Sequence, residues 1–281
     1  MKVGFIGTGS MGRTLIESFI ESGALEPGQI IASNRTMQKV HQLASQYPGL
    51  QIASSNTETV IGSDIIFLCV KPSQFKRITE EIGSVVTDHQ IIVSITSPVQ
   101  IRHLEDHLRC KIAKVIPSIT NSVLGGATLC MYGSRIKGED RLLLEDLLQS
   151  ISRPVLIEEQ NTRITSDFSS CGPAFIAFFL NKWIDAAVET TGIDREQATC
   201  LASEMVLGTG KLLTEGGLTP EQIQTRVSVP GGITAEAIRL MDQELQGVFH
   251  QLIRTTHDKY NEDLDKLDDL FHLPEVNRQQ Y

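Results

Sequence analysis

The chain has 281 residues, 41% of them hydrophobic, with 34 acidic against 25 basic side chains and a formal net charge of −9. That length holds two domains with a well-buried core, and an acidic chain without basic clusters interleaved with aromatics excludes nucleic acid as the expected partner. No apolar run reaches membrane-spanning length, and five scattered cysteines, Cys69, Cys110, Cys130, Cys171 and Cys200, read as reduced thiols of a cytoplasmic protein.

The first predicted element is a strand over Met1–Ile6, read as core rather than as a leader segment. It empties into Gly7-Thr8-Gly9-Ser10-Met11-Gly12 and then a helix marked by Leu15, Ile16, Phe19 and Ile20. A glycine pattern between a strand and a helix points to a dinucleotide: Gly7 for the tight turn, Gly9 for close approach of the backbone to a pyrophosphate, Gly12 for close packing of helix on strand. Free N–H groups at the helix start then face the phosphates. An ordinary glycine turn is the competing reading, and the flanking strand and helix favour the dinucleotide.

The next strand, Gln29–Ser33, ends where an NAD enzyme usually carries a carboxylate for the ribose 2′-hydroxyl. Here Ser33-Asn34-Arg35-Thr36 stands instead. Arg35 can pair with a 2′-phosphate and its polar neighbours can donate to it, so NADP(H) is favoured over NAD(H). Arg35 also reads as a solvated cation near a helix start, where the dipole opposes it.

Further strands are predicted over Leu50–Ala53, Asp64–Val70, Gln90–Ile95, Lys111–Ile116, Ala127–Met131 and Pro154–Ile157, alternating with amphipathic stretches. This alternation predicts an α/β fold, a Rossmann-type, doubly wound, largely parallel sheet. From Asn161 onward helical patterns take over, at Pro173–Thr191, Arg195–Glu215, Pro220–Arg226, Thr234–Met241 and Leu245–Leu270. The expected domains are 1–160, binding NADP, and 161–281, helical and mediating substrate binding and dimerisation. Apolar residues on several faces of these helices, as in Ala186-Ala187-Val188 and Met205-Val206-Leu207, call for a second copy of the chain.

Other features read more plainly. His103 and His107, four apart without a third ligand, are expected on a solvated helix face, so no metal site is expected. The acidic residues Glu262, Asp263, Asp265, Asp268 and Asp269 read the same way, and Pro274–Tyr281 as a frayed end. Trp183 with Phe175, Phe178 and Phe179 reads as core or interface.

The glycine loop, Ser33-Asn34-Arg35, Val70-Lys71-Pro72, Gly172-Pro173-Ala174 and above all Val229-Pro230-Gly231-Gly232-Ile233-Thr234-Ala235 resemble the pyrroline-5-carboxylate reductase family over residues 1–270. The resemblance implies NADPH-dependent reduction of a cyclic imino acid to proline, by hydride transfer to C5. It implies a carboxylate receptor at Pro230, Gly231, Gly232 and Ile233, and a catalytic Thr234 hydroxyl at the ring nitrogen. Thr234 also reads as a helix cap alone. By the same resemblance Asn56, Val70, Lys71, Pro72 and Ser94 border the cofactor, each equally readable as a strand-end hydrogen-bonding residue. The implied assembly is a homodimer whose active sites need both chains, with larger rings also known in the family.

Three departures stand out. Relatives carry Arg-x-Met-Pro-Asn where this chain has Lys114-Val115-Ile116-Pro117-Ser118, leaving Ser118 as the substrate-side polar group. They carry Ser-Gly-Ser-Gly-Pro-Ala-Tyr where Ser169-Ser170-Cys171-Gly172-Pro173-Ala174-Phe175 stands, and a serine where Val229 precedes the double glycine. A lost polar partner in a closed pocket costs about tenfold to a few hundredfold. The pattern resembles a divergent late-competence branch of bacilli, and sets beside the reductase a second reading: a weakly active or inactive paralogue that binds NADP(H) in a regulatory role. Turnover of another imine or carbonyl is a third.

Overall fold

The computed structural model describes residues 1–272, so the end read as frayed, Pro274–Tyr281, lies outside the described residues. Among them one sheet contains β1 (Val3–Ile6), β2 (Ile30–Ser33), β3 (Gln51–Ile52), β4 (Ile65–Leu68), β5 (Ile91–Ser94), β6 (Lys111–Ile116), β7 (Ala127–Tyr132) and β8 (Arg153–Leu156). The order is β3-β2-β1-β4-β5-β6-β7-β8, and every pairing is parallel except β6 with β7. The central strands β1, β4 and β5 are buried throughout. Helices cover both faces of such a sheet, which is why these strands read as unbroken apolar runs.

The covering helices are α1 (Ser10–Glu21), α2 (Met37–Gln46), α3 (Asn56–Ile61), α4 (Phe75–Ile82), α5 (Ile101–Glu105), α6 (Gly138–Gln149) and α7 (Thr162–Ser166). On one face Leu15, Ile16 and Phe19 of α1 pack with Val3, Phe5 and Phe67, the rings of Phe5 and Phe67 stacked at 5.1 Å. On the other, Phe75, Ile78 and Ile82 of α4 join Ile66 and Leu68. Burying each such side chain contributes about 1.5–3 kcal/mol.

After a π-helical turn at Asp167–Cys171 come α8 (Gly172–Thr191), α9 (Arg195–Thr214), α10 (Pro220–Val227), α11 (Ile233–Glu244) and α12 (Val248–Phe271). The start of α10 carries the expected cap: Thr219 Oγ1 accepts from Gln222 N, with Pro220 at the first helical position.

The described chain divides into two compact units: Met1–Pro173 together with residues 255–272, and Ala174–Arg254. The expected division at 160/161 differs at both ends. Thr162 and Ser166 of α7 are buried, the Thr162 hydroxyl donating to Glu159 O at 2.6 Å. Leu267 and Phe271 of α12 belong to the same core as Ile78 and Leu104, so the last helix returns to the sheet unit.

That return also overturns the solvated placement of His103 and Asp268. His103 is fully buried and Asp268 is 5% exposed. Asp268 Oδ1 accepts from Arg102 Nη2 at 2.6 Å and lies 2.8 Å from His103 Nε2, while the His103 ring stacks on Phe271 at 5.1 Å. Gln100 N donates to His103 Nδ1 at 3.0 Å, so Nδ1 is the acceptor and Nε2–H donates to Asp268. Burial holds the imidazole below its usual pKa, outweighing the pull of the Asp268 and Glu159 carboxylates.

A histidine with a lowered folded pKa contributes stability that is present above its ordinary value, near 6.5, and is lost as pH falls through the lowered one. The unfolding free energy of the wild type, read from urea titrations, is therefore expected to drop as pH falls below about 6.5, by at most about 1.4 kcal/mol per pH unit from this group. His103→Gln, which keeps a donor for Asp268, is expected to flatten that part of the profile. An equally steep profile in the variant would assign the pH dependence to other groups.

Candidate active site

Strand order reverses at β1, with β2 and β3 on one side and β4 to β8 on the other, and a crevice opens at the carboxyl ends of β1 and β4. There the first unit carries a cleft of about 400 Å³. Its floor is the glycine loop. Gly7 has φ +101, and its N–H donates to Ser33 O at 2.8 Å, tying the loop to β2. A Cβ on Gly12 would lie 2.2 Å from Gly7 O, so only glycine lets α1 start this close to the turn. A Cβ on Gly9 would meet nothing of the protein within 4 Å. Its lack of a side chain therefore serves space outside the fold rather than packing inside it.

The N-terminus of α1 is open. Gly9 occupies the cap position without a capping side chain, no acidic residue stands in the first turn, and the exposed Ser10 follows. Its N–H groups and dipole are available to an anion. The Thr8 hydroxyl is buried beside them without a partner among the described residues.

The walls carry Asn34, Arg35 and Thr36 after β2, Lys39 in the first turn of α2, Asn56 at the start of α3, Val70 and Lys71 after β4, and Arg77 and Glu81 on α4. Among the described residues none of Arg35, Lys39, Lys71 and Arg77 is in an ion pair. Four cations facing one carboxylate make a positive cleft in a chain of net charge −9. Ser33 is nearly buried and spends its hydroxyl on Asn56 Oδ1 at 3.1 Å, and Asn56 Nδ2 donates to Glu81 Oε2 at 2.8 Å. Lys39, Arg77 and Glu81 escaped the sequence reading. Lys39 sits three residues beyond Thr36, a spacing that returns it to the helix start, but nothing local brings α4 to β2.

Other expected positions stand elsewhere. Pro72 opens a 3-10 turn, Pro72–Gln74, beneath Lys71. Ser94 is 1% exposed, its Oγ accepting from Thr96 N at the end of β5, and it does not line the cleft. Ser118 stands inside the first unit. It has no exposure, its hydroxyl donates to Ser169 O at 3.0 Å, and Asn121 Oδ1 takes its N–H at 2.8 Å. The group expected to face substrate instead ties the end of β6 to the π-helical turn. In that turn Cys171 Sγ accepts from Arg163 Nη2 at 3.1 Å, so it too is engaged internally.

In the second unit, Gly231 has φ +72 and Gly232 N donates to Val229 O at 2.9 Å, making the tight turn before α11. Gly232 is the cap of α11 and offers no side chain, so Thr234, already inside the first turn, is not the capping residue. No hydrogen bond among the described residues takes its hydroxyl. Val229 and Ile233 are 64% and 93% exposed on either side.

Among the described residues no group of three His, Cys, Asp or Glu side chains is placed to hold a metal ion, and no helix is long and apolar enough to cross a membrane.

The family model for pyrroline-5-carboxylate reductase dimerisation matches residues 159–263, and that for NADP oxidoreductase coenzyme F420-dependent matches residues 2–98. ComE operon protein 4 of Bacillus subtilis (strain 168) is 39% identical over 97% of this chain and 100% of that one. Pyrroline-5-carboxylate reductase 2 of Bos taurus is 34% identical over 90% of this chain and 79% of its own length. The crystal structure of Plasmodium falciparum pyrroline carboxylate reductase with NADP bound superposes with a TM-score of 0.81 at 22% identity, covering 96% of this chain and 98% of that one, and so shares the fold. With the glycine loop on β1, the helical second unit and these relatives in agreement, the chain belongs to the pyrroline-5-carboxylate reductase family.

Proposed function

We propose that the protein binds NADP(H) in the first unit's cleft and reduces a cyclic imino acid, pyrroline-5-carboxylate, to proline. The observation that carries this reading is the cleft itself: an uncapped helix N-terminus beside a glycine loop, walled by four cations, none of them in an ion pair among the described residues. Gly9, Ser10, Met11 and Gly12 would hold the pyrophosphate, with the orphaned Thr8 hydroxyl beside it, and Arg35 with Lys39 the 2′-phosphate. The reduced cofactor, when bound, supplies a hydride for C5 of the ring. The chain's own work is positioning: in the Pro230–Ile233 turn the backbone N–H groups of Gly231 and Ile233 receive the substrate carboxylate at the start of α11, and the free Thr234 hydroxyl orients the ring nitrogen.

The second unit argues for a second copy of the chain. Of α8 and α9 only Ile184 and Ala198 are buried, while Phe178, Trp183, Leu201 and Leu207 are each more than half exposed. An apolar surface of that extent marks an interface, and we infer a homodimer.

One observation favours a second reading, a cofactor-binding paralogue with little or no turnover and a regulatory role. Ser118 is locked inside the fold and Val229 replaces a hydroxyl, so the substrate side has lost polar groups that the cofactor side keeps. The similarity to ComE operon protein 4 agrees with it. The test is oxidation of NADPH in the presence of saturating pyrroline-5-carboxylate, on material shown by sedimentation to be dimeric. Turnover of about one per second or faster supports the reductase. Absent turnover in a dimer that binds NADPH supports the second reading, and a monomer in solution would overturn the inferred assembly.

A further inference from the structure

Glu81 is the one carboxylate in a cleft otherwise lined by cations, and its place is unusual. It stands in the last turn of α4, where the helix dipole disfavours an anion and no basic residue compensates it. Arg77, one turn earlier on the same face, lines the cleft without pairing with it. Glu81 instead accepts from Asn56 Nδ2 at 2.8 Å, and Asn56 Oδ1 accepts from Ser33 Oγ at 3.1 Å. A hydrogen-bonded chain thus runs from α4 to the end of β2.

The end of β2 is where a dinucleotide fold presents a carboxylate to the adenosine ribose, and β2 itself has none: Ser33-Asn34-Arg35 follows. We propose that Glu81 supplies this missing acceptor from α4 and sets the NADPH-to-NADH preference, keeping the cleft open to a nucleotide that carries a 2′-hydroxyl. The inference rests on the cofactor reading above.

The chemistry is a balance. With its proton given to Asn56, the Ser33 oxygen offers only lone pairs, and Glu81 keeps a second oxygen beyond the one bonded to Asn56. Acceptors in that position suit a hydroxyl, which donates, and repel a phosphate, which does not. Arg35, Lys39, Lys71 and Arg77 act in the opposite sense. The wild type is therefore expected to bind both nucleotides, NADPH the more tightly, with a preference smaller than four cations alone would give.

The test is calorimetric titration of the full-length protein with NADPH and with NADH. Glu81→Gln keeps an oxygen to accept from Asn56 and removes the charge. Its ratio of affinities is expected to rise about fivefold towards NADPH, as loss of one charge at close range in partly screened surroundings implies. Glu80→Gln, on the exposed neighbouring position, removes the same charge outside the cleft and is expected to leave the ratio unchanged. A merely structural Glu81 would lower both affinities together. Both nucleotides binding with an unaltered ratio in Glu81→Gln would overturn the role of Glu81 and leave the cofactor reading standing. A wild type that binds neither nucleotide overturns both.

Discussion

Replacing Arg35 by Ala is expected to weaken NADPH binding about tenfold to a hundredfold while leaving NADH within about twofold. The range follows from the strength of a charge-assisted hydrogen bond to phosphate, about 1.5–3 kcal/mol. Arg35 stands directly after β2, is exposed to the cleft, and has no carboxylate of its own to return to. The guanidinium is thus neither buried at a desolvation cost nor held in an internal pair, and the full interaction is available to a ligand. Lys39 is expected to carry a share of the same phosphate, so that Arg35→Ala with Lys39→Ala together abolish the preference for NADPH. Salt gives an independent readout, since a phosphate held by exposed cations is released as ionic strength rises. Equal losses for both nucleotides would place Arg35 at the adenine or the shared phosphates, and no loss for either would place the 2′-phosphate elsewhere.

The sheet could be read from the sequence because its central strands are buried on both faces. Val3–Ile6 and Ile65–Leu68 are apolar at every position or broken only by glycine, and no helical period competes. The glycine loop was equally plain, since Gly7 and Gly12 are required by local geometry, a positive φ and a 2.2 Å approach. What escaped was set by tertiary crossing. Glu81 and Arg77 look like any charged pair on an amphipathic helix, and become cleft residues only because α4 passes the end of β2. Ser118 matched a motif position, yet its hydroxyl is taken by Ser169, a partner 51 residues away in sequence. Each of these residues has a polar group whose role depends on which distant element reaches it first, and period and composition do not encode that.

His103 and Asp268 show the same limit most sharply, and they carry the largest stability effect expected in the first unit. Asp268→Ala is expected to lower the unfolding free energy by about 1–3 kcal/mol, the usual cost of leaving buried donors without their acceptor. The loss strands two donors: Arg102 Nη2, 2.6 Å from the carboxylate, and the Nε2–H of a fully buried imidazole. It also loosens the end of α12, whose Phe271 stacks on His103 and whose Leu267 lies in the core under α4. Five residues of α5 are too few to display a helical period, and an aspartate within an acidic run has the look of solvent-facing sequence, so neither partner announces the other. Asp268→Asn keeps an oxygen for one donor without the charge and is expected to fall between wild type and Asp268→Ala. Urea unfolding near pH 7 reads all three, and a loss below about 1 kcal/mol in Asp268→Ala would show that water reaches the stranded donors and that α12 is held by its apolar face alone.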